Sequence, residues 1–490
     1  MRKVLLFFLL VLILCGCTIG PNYTKPAIEM PSSWRFEEKE VRQIGNIAWW
    51  EQFGDPVLND LIQVALVENK DIMIATARVE EFNGQYETTR AALFPQASAS
   101  TIAGRSRVTE NSPTPLTPAT LNPADNYSPL LSASWEIDLW GRLRRATEAS
   151  RADLLSAEEA RRGVILTLVT SVASAYVNLR DLDMQLDIAR RTAQSRKESY
   201  DLFQLRFQGG LITELELSQV KSEYEQALSV IPILEKAIAQ QENALSILLG
   251  RNPDSIPRGK NINDLVLPPV PAGLPSELLV NRPDIRQAEQ ALIAANARIG
   301  VARSFYFPTI SLTGMFGFAS TDLSTLFQGP SRVWSWAVPV NMPIFTGGAI
   351  GGQVKSAEAR QRQALFLYQQ SIQTAFREVD DALIDQKRSR EELDIQNRQV
   401  ESLSTYAYFA RLRFDNGYTS YIEVLDAERS LFGAELARAQ TKGVLFQAMV
   451  TLYKAMGGGW IIDADAKTGS DPSRERMSNI NTSVRSNTNR

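Results

Sequence analysis

The sequence predicts a mainly α-helical protein with a membrane β-sheet, built from two copies of one structural half. Three observations support this prediction. The stretch RFQGGLITELEL at Arg206–Leu217 resembles RFDNGYTSYIEV at Arg413–Val424, 207 positions later. A series of apolar residues at alternating spacings of three and four precedes each copy, which predicts long coiled-coil helices. Segments of alternating apolar and polar residues precede those helices, which is typical of transmembrane strands.

The N-terminus has the features of an export signal. Two basic residues precede an unbroken apolar run, Val4–Leu14, that is too short to span a bilayer. We therefore predict a signal peptide over residues 1–16. The residues that lead into Cys17 resemble a bacterial lipobox, so we expect a covalent lipid on Cys17 and a lipidated connector over residues 17–58. The alternative is an ordinary signal peptide with an incidental cysteine.

The composition excludes several classes of function. The chain contains no histidine, and its cysteines are Cys15 and Cys17, so a histidine-based catalytic site, a histidine-ligated metal and a CxxC redox pair are all absent. The net charge of −3 leaves no basic surface for nucleic acid. We therefore expect no enzyme, no metal site and no cofactor besides the covalent lipid.

The helices fall into two repeats joined by a proline-rich linker. The first repeat, residues 59–250, comprises a lead-in helix over 59–94, a β-hairpin at about 95–140, a long helix over 142–209 and a return helix over 213–249. The linker covers 251–275, and the second repeat, residues 276–460, comprises a helix, a β-hairpin at about 305–345, a long helix over 353–416 and a return helix over 420–456. A long helix of this size extends roughly 100 Å. The polar remainder, 461–490, is expected to be a disordered tail.

Each copy of the repeated stretch predicts a tight turn between two helices. Gly210 and Gly417 can adopt the left-handed conformation that ends a helix, and a basic residue in the last turn suits the helix dipole. A Thr or Ser followed three residues later by Glu is a capping box, which begins the next helix. The residues assigned to the turns are Arg206, Gly210, Thr213 and Glu216 in the first copy, and Arg413, Gly417, Ser420 and Glu423 in the second.

Alternation of apolar and polar residues predicts four strands per chain. The clearest series are Ile310, Leu312, Gly314, Phe316 and Phe318, and then Trp334, Trp336, Val338, Val340, Met342 and Ile344. Flanking aromatic residues favour a transmembrane barrel, and the alternative is a soluble sheet with one face on a core. Four strands cannot close a membrane barrel, for which about eight is the smallest number, so two or three chains must share one.

Several motifs resemble those of the outer-membrane factor family, the TolC-like exit ducts, and most of all its lipoprotein branch. They are WWEQFGDPVLNDLI, WEIDLWGRLRR, LPSELLVNRPDIRQAE, FYFPTISLTG, VNMPIFTGG and the late GGGW, and the resemblance covers nearly all of Cys17–Trp460. It implies a homotrimer with a shared 12-stranded barrel in the outer membrane and a hollow α-helical barrel crossing the periplasm. It also implies two partners, a periplasmic adaptor and an inner-membrane pump.

The resemblance assigns roles to the two turns, called tips below. The family's acidic gate positions correspond to Asp426 and Glu423 in the second tip and to Glu216 in the first, and the tips are the expected adaptor-docking surface. The two glutamates are equally well explained as capping residues, whereas Asp426 has only the alternative of a solvated acid. Phe414 stands where the family often has Tyr, and Thr419 stands where the family can have Arg, so the family's hydrogen bonds between inner and outer helices at the second tip are not expected in this chain.

The leading functional hypothesis is therefore an exit duct for efflux of small toxic compounds. An exit duct for polypeptide secretion is the alternative within the same fold. A structural coiled-coil lipoprotein without a pore is the alternative from a different class, but it would not need the alternating strands.

Overall fold

The computed structural model describes residues 18–28, 34–35, 48–109, 111, 121–270, 278–458 and 460–468. The signal peptide, Cys17 and most of the tail lie outside these residues. The longer helices, numbered in chain order, are α1 (Pro56–Glu68), α2 (Lys70–Ala91), α3 (Arg142–Gln208), α4 (Glu214–Leu248), α5 (Pro283–Ser304), α6 (Ala349–Asp415), α7 (Tyr421–Met456) and α8 (Trp460–Lys467). Short helical turns cover Trp49–Phe53, Leu278–Asn281, Leu323–Thr325 and Gly329–Ser331.

The strands are β1 (Gln96–Ser106), β2 (Ala124–Ile137), β3 (Thr309–Phe318), β4 (Arg332–Ala337) and β5 (Val340–Asn341). They form one antiparallel sheet in the order β1-β2-β3-β4, with β5 also paired to β3. The sheet therefore consists of two neighbouring hairpins, one from each repeat, because β2 of the first repeat pairs with β3 of the second. Among the described residues, the outer edges of β1 and β4 have no strand beside them.

The lead-in helix of the first repeat is interrupted, which corrects the prediction of one helix over 59–94. Asn69 has an extended backbone, with φ −64° and ψ 132°, and it separates α1 from α2. Its side-chain oxygen accepts hydrogen bonds from the backbone N–H groups of Asp71, at 2.8 Å, and Ile72, at 3.2 Å. Asn69 is thus an N-cap, a role in which a short polar side chain competes with the continuing helix.

The fourth predicted strand is also interrupted. The alternation from Trp334 to Ile344 predicts one continuous strand, but β4 ends at Ala337 and only Val340–Asn341 pairs beyond it. Pro339 has no N–H to donate to the ladder, and only its carbonyl takes part, accepting a hydrogen bond from the Ser311 N–H at 3.1 Å. The proline was visible in the sequence, and the apolar period outweighed it in the prediction.

The chain forms two compact units. The sheet unit comprises the described part of Met1–Ala27 together with Val79–Ala157 and Gln287–Tyr368, and the helical unit comprises the described parts of Ile28–Arg78, Glu158–Arg286 and Gln369–Arg490.

In the sheet unit, the first described residues are held against both repeats. The Ile19 N–H donates to the Trp140 carbonyl at 3.0 Å, and Arg145 donates to the Asn22 side-chain oxygen at 2.6 Å. From the second repeat, the Asn296 amide donates to the Pro21 carbonyl at 2.9 Å. A segment directly after Cys17 therefore has a defined course.

In the helical unit, an aromatic cluster forms the centre of the core. Trp49 stacks on Tyr453 with ring centroids 5.1 Å apart, and Trp50 lies edge-on to Trp460 at 5.3 Å. Trp460 begins α8, which corrects the prediction of a disordered tail from residue 461. Burial of Trp460 and Ile461, each 2% exposed, stabilises this last helix. The tail beyond Thr468 lies outside the described residues.

The heptad series of α3 is largely buried, as a coiled-coil seam requires. Its members at Ile165, Leu168, Val172 and Leu179 are all under a tenth exposed. One stretch of α3 is apolar enough to cross a membrane by composition, and it is the one such helix among the described residues. That stretch is 56% buried inside the protein, so packing accounts for its composition.

Candidate functional site

The two tips end their long helices in the same way. The Gly210 N–H donates to the Phe207 carbonyl at 2.9 Å, and the Leu211 N–H donates to the Arg206 carbonyl at 2.9 Å. This is a Schellman motif, and its glycine has φ +70°. The second tip repeats both bonds 207 positions later, with Gly417 at φ +77°. The predicted left-handed glycines are confirmed at both tips.

The next helix begins differently at the two tips. Thr213 accepts from the Glu216 N–H, and the Glu216 carboxylate accepts from the Thr213 N–H at 2.7 Å, so the predicted capping box is confirmed in the first tip. The Thr213 N–H and, at 2.9 Å, the Thr213 hydroxyl both donate to the ionised carboxylate, and these two bonds lower the pKa of Glu216. Ser420 makes no side-chain cap bond, so the capping box predicted for the second tip is wrong.

Glu423 binds other partners instead. Its carboxylate lies 2.9 Å from the Arg413 guanidinium and also accepts a hydrogen bond from the Thr419 hydroxyl. In a capping box this carboxylate would accept a hydrogen bond from the Ser420 backbone N–H, but here the ion pair with Arg413 engages it instead. Thr419 thus hydrogen bonds within its own tip.

The two tips pack on a common apolar cluster, the tip core. Its buried members are Phe203, Val220, Ala410, Tyr421, Val424, Leu425 and Ala427. Phe203 of the first tip lies 4.2 Å, ring centroid to centroid, from Tyr421 of the second and 6.1 Å from Phe414. The Arg206 guanidinium lies over both phenylalanine rings, at 5.6 and 5.9 Å, so this arginine also binds by cation–π contact.

Asp426 projects from α7 one turn beyond Glu423 and is about half exposed. Its carboxylate is paired with Arg429 at 3.1 Å, and the other terminal nitrogen of Arg429 lies 3.8 Å from Glu223. The sequence predicted an acid on an exposed helical face and missed its partner. Glu216, Glu423 and Asp426 each bind a different group, and none of these three carboxylates is paired with another.

A charge cluster that includes Asp426 joins all four tip helices. It consists of Arg196 on α3, Glu223 on α4, Arg411 on α6, and Asp426, Glu428 and Arg429 on α7. Arg196 lies 3.1 Å from Glu223, and Arg411 lies 3.7 Å from Glu428. Burial raises the pKa of Glu428, and the nearby arginines Arg411 and Arg196 oppose that rise.

The sequence contained one signal for this cluster. Arg196 interrupts the apolar seam of α3, and it is 4% exposed in the structure. A charged residue at a seam position indicates a buried partner. Glu223, Arg411 and Glu428 lie at positions with no such signal, so the reasoning from the sequence missed them.

The sheet carries a second candidate surface, because its two faces differ. Residues on one face are large and apolar and lie exposed: Leu131, Leu312, Phe316, Trp334 and Trp336 are between 43% and 69% exposed. We call this the apolar face. Its opposite, the hydroxyl face, carries Ser98, Ser132, Ser134, Ser311, Thr313 and Ser335. A soluble sheet normally packs its apolar face on a core and exposes its polar face. Here both faces are open, since Ser98, Ser134 and Ser335 are exposed as well, and the apolar face stays exposed in the single chain. We call this arrangement the inverted sheet.

The described residues contain no group of three or more carboxylate or thiol side chains that could hold a metal ion. What the tips present is electrostatic: carboxylates and their arginine partners at the ends of the long helices.

Comparisons with known proteins agree in length and fold. The family model described as "Outer membrane efflux protein" matches residues 61–251 and 274–458. The Cation efflux system protein CusC of Escherichia coli (strain K12) is 36% identical over 468 residues, covering 93% of this chain and 99% of the relative. The Toluene efflux pump outer membrane protein TtgI of Pseudomonas putida is 36% identical over 461 residues, covering 92% and 97%.

Solved structures match over the same extent. A crystal structure of CusC superposes with a TM-score of 0.81 at 35% identity, covering 90% of this chain and all of that one. The Campylobacter jejuni CmeC outer membrane channel superposes with a TM-score of 0.86 at 27% identity, covering 93% and 100%.

Proposed function

Because this chain belongs to the outer membrane efflux protein family, we propose that it is the outer-membrane exit duct of a tripartite efflux system. In this role it passes small toxic compounds from an inner-membrane pump and a periplasmic adaptor to the outside. The observation that supports the proposal most directly is the inverted sheet. Its exposed leucine, phenylalanine and tryptophan side chains would be costly in water and suit contact with lipid.

The duct is proposed to be a homotrimer. The outer edges of β1 and β4 are unpaired in one chain, and an open sheet edge is not tolerated in hydrocarbon. Three copies supply twelve strands, enough to close a barrel with the apolar faces outward and the hydroxyl faces lining the lumen. Exposed apolar residues on α6, including Phe366, Leu367 and Phe409, suit contact with a second copy.

The protein is proposed to be anchored in the outer membrane by a lipid on Cys17 as well as by the barrel. Cys17 lies outside the described residues. Support comes from its lipobox-like context and from the defined course of residues 18–28, where the Ile19 N–H donates to the Trp140 carbonyl. One acyl signal alone holds a protein weakly, so the barrel is the stronger anchor.

The tips are proposed to dock the adaptor and to gate the periplasmic end. Apolar side chains at both tips are exposed, with Leu211 at 77% and Tyr418 at 78%. Three copies of Asp426 and Glu423 around a narrow axis would favour cations. One relative is named for cations and another for toluene, so both classes of compound are candidate cargo. Of the two, cations are the class that the acidic side chains at the tips of this chain would themselves select.

A conductance experiment tests the duct. Full-length protein reconstituted in planar bilayers is expected to form cation-selective pores. Matched cysteine variants at adjacent positions test the lining: a charged, membrane-impermeant thiol reagent should change the conductance of Ser132→Cys and leave that of Ala133→Cys unchanged. Assembled protein without conductance would overturn the proposal in favour of a structural lipoprotein. Modification at position 133 alone would reverse the assignment of the two faces.

A further inference from the structure

Asp181 is a buried carboxylate with an unpaired oxygen. It lies on α3, far in sequence from the tips, and is 7% exposed. Its Oδ1 atom has no hydrogen-bond partner among the described residues. An ionised carboxylate in such a place carries a large desolvation cost unless a cation or several donors compensate it. A protonated carboxyl group carries much less.

The neighbouring helix is shaped to fit this side chain. A methyl group on Gly443 of α7 would lie 2.9 Å from the carboxylate carbon and from Oδ2 of Asp181. Only glycine leaves room for α7 to approach so closely. Gln185, one turn beyond Asp181 and 5% exposed, accepts a hydrogen bond from the Gln440 amide of α7 at 3.1 Å. Asp181 therefore sits inside a close contact between α3 and α7.

The charged groups around this contact are engaged elsewhere. Arg180, next to Asp181 on α3, donates to Asp183 and to the Lys260 carbonyl, and Arg258 of the linker pairs with Asp183 at 3.0 Å. On α7, Lys442 donates to the Asn263 side-chain oxygen at 2.8 Å. In the part of the chain that the structure describes, none of these cations hydrogen bonds to Asp181.

We propose that Asp181 is a proton-binding site, and that protonation of its carboxyl group allows α3 and α7 to pack closely at Gly443. Burial raises the pKa of Asp181 to about 6 from its ordinary value of 3.8, while the Gln185 hydrogen bond opposes this rise. The folded protein therefore binds this proton more tightly than the unfolded chain. The resulting stabilisation is complete below the unfolded pKa and is lost as the pH rises through about 6.

The inference rests on the proposed function only for its setting, because a protein of the outer membrane is exposed to the acidity outside the cell. In that setting, mild acid tightens the contact between α3 and α7, and neutral pH loosens it. Thermal unfolding of purified, full-length protein requires no conductance, so this proposal can fail or succeed independently of the duct.

Asp181→Asn is the central variant, because an amide has the shape of a protonated carboxyl group and cannot ionise. Thermal unfolding is measured for wild type and variant from pH 5 to pH 8. We expect the melting temperature of the variant to exceed that of wild type by a margin that grows as the pH rises from 5 through about 6 and is then constant to pH 8. The control is Asp187→Asn on the same helix, which replaces an exposed acid paired with Arg191 at 3.2 Å. The difference in melting temperature between this control and wild type should be the same at pH 5 and at pH 8.

Infrared spectroscopy supplies a direct readout of the proton. Wild type should show a protonated-carboxyl carbonyl band that titrates near pH 6, and Asp181→Asn should lack it. Absence of such a band from wild type at pH 5, or an Asp181→Asn protein that is less stable than wild type at pH 8, would show that the carboxylate is ionised and partnered. Should the variant fail to fold, hydrogen exchange of residues 439–446 in wild type decides. Protection that is equal at pH 5.5 and 7.5, after correction for intrinsic rates, contradicts the proposal.

Discussion

At the scale of single residues, Asp426 has an arginine partner that alters its proposed role. Arg429 lies 3.1 Å from the Asp426 carboxylate and within 3.8 Å of Glu223. A cation that arrives at Asp426 must therefore compete with a guanidinium from the same helix. The charge of the proposed gate depends on Arg429 as well as on the acids.

We expect opposite effects from substitutions at the two members of this pair. Asp426→Ala should weaken cation selectivity and reduce block by divalent cations from the tip side, because the attracting charge is lost. Arg429→Gln should strengthen both, because the competing cation is removed. Single-channel recordings measure reversal potentials and block. Asp201→Ala, an exposed acid on α3 paired with Lys197, is the control and should change neither quantity.

Unchanged selectivity in both Asp426→Ala and Arg429→Gln would show that this acid is merely solvated. Weaker selectivity in Arg429→Gln would instead show that Arg429 holds Asp426 in its working position through the contact with Glu223.

Cys17 carries a second prediction at the residue scale. Cys17→Ser should abolish incorporation of labelled palmitate and leave an unprocessed precursor that migrates more slowly, because lipidation of the thiol precedes cleavage in the lipobox pathway. The measurement is gel migration together with the label. Normal processing with undiminished label in the variant would show that the lipid is elsewhere or absent. Efflux activity in the variant reports separately whether the barrel alone is a sufficient anchor.

At the scale of helices and turns, the tips share their ends and differ in their beginnings. Thr213 forms both bonds of a capping box, whereas Ser420 forms no cap bond and Glu423 pairs with Arg413. Thr213→Ala should therefore destabilise the start of α4 by about 1 kcal/mol, and Ser420→Ala should change the start of α7 by only a few tenths.

Hydrogen exchange in the first turn of each helix measures this difference locally. We expect faster exchange at residues 214–218 in Thr213→Ala and little change at residues 421–425 in Ser420→Ala. Equal acceleration in both variants would show that Ser420 caps its helix in solution and that the Arg413–Glu423 pair is secondary.

The tip glycines should be required for function and dispensable for assembly. A side chain at Gly210 or Gly417 meets open space but demands a left-handed backbone that a β-branched residue strongly disfavours. Gly210→Val and Gly417→Val should therefore impair efflux while native gels still show a trimer. Gly433→Ala is the matched control, since this glycine has helical backbone and open surroundings and its replacement should be neutral or slightly stabilising. Loss of the trimer in the valine variants would assign these glycines to folding and would contradict their role in docking.

At the scale of the whole molecule, the inverted sheet links the single chain to its membrane. Leu131 on the apolar face and Ser132 on the hydroxyl face are adjacent in β2, so they form a matched pair. Leu131→Arg should block stable insertion into the outer membrane, at a cost of about 2–4 kcal/mol per chain near the bilayer midplane. Ser132→Arg should insert normally and change the conductance. Membrane fractionation and heat-resistant trimer on gels measure insertion. Normal insertion of Leu131→Arg would show that this face does not contact lipid.

Much of this architecture follows from local signals. The sequence predicted the repeat, the long helices, the left-handed glycines and the alternating strands. The helices, turns and strands depend on residues a few positions apart and on a hydrophobic period, and the repeat is visible as two similar stretches. Family membership followed from motifs of similar locality, and the comparisons confirm it. The break at Asn69 and the helix at Trp460 were missed, because a polar cap and a docking aromatic residue were weighed less than the surrounding composition.

The partners of the charged residues were decided only by the tertiary structure. Ser420, three residues before Glu423, predicted a capping box, but Glu423 pairs with Arg413. Asp181 looks in the sequence like any polar residue on a helix, yet it lies buried against Gly443. Such pairings depend on which helices meet and at what height, and a shift of one residue along a 67-residue helix changes every partner. The sequence alone determined most of the helices, turns and strands of this protein, because hydrophobic period and backbone preference are local. The burial and pairing of its charges required the packed helices, because desolvation and Coulomb energy depend on distances between segments far apart in the chain.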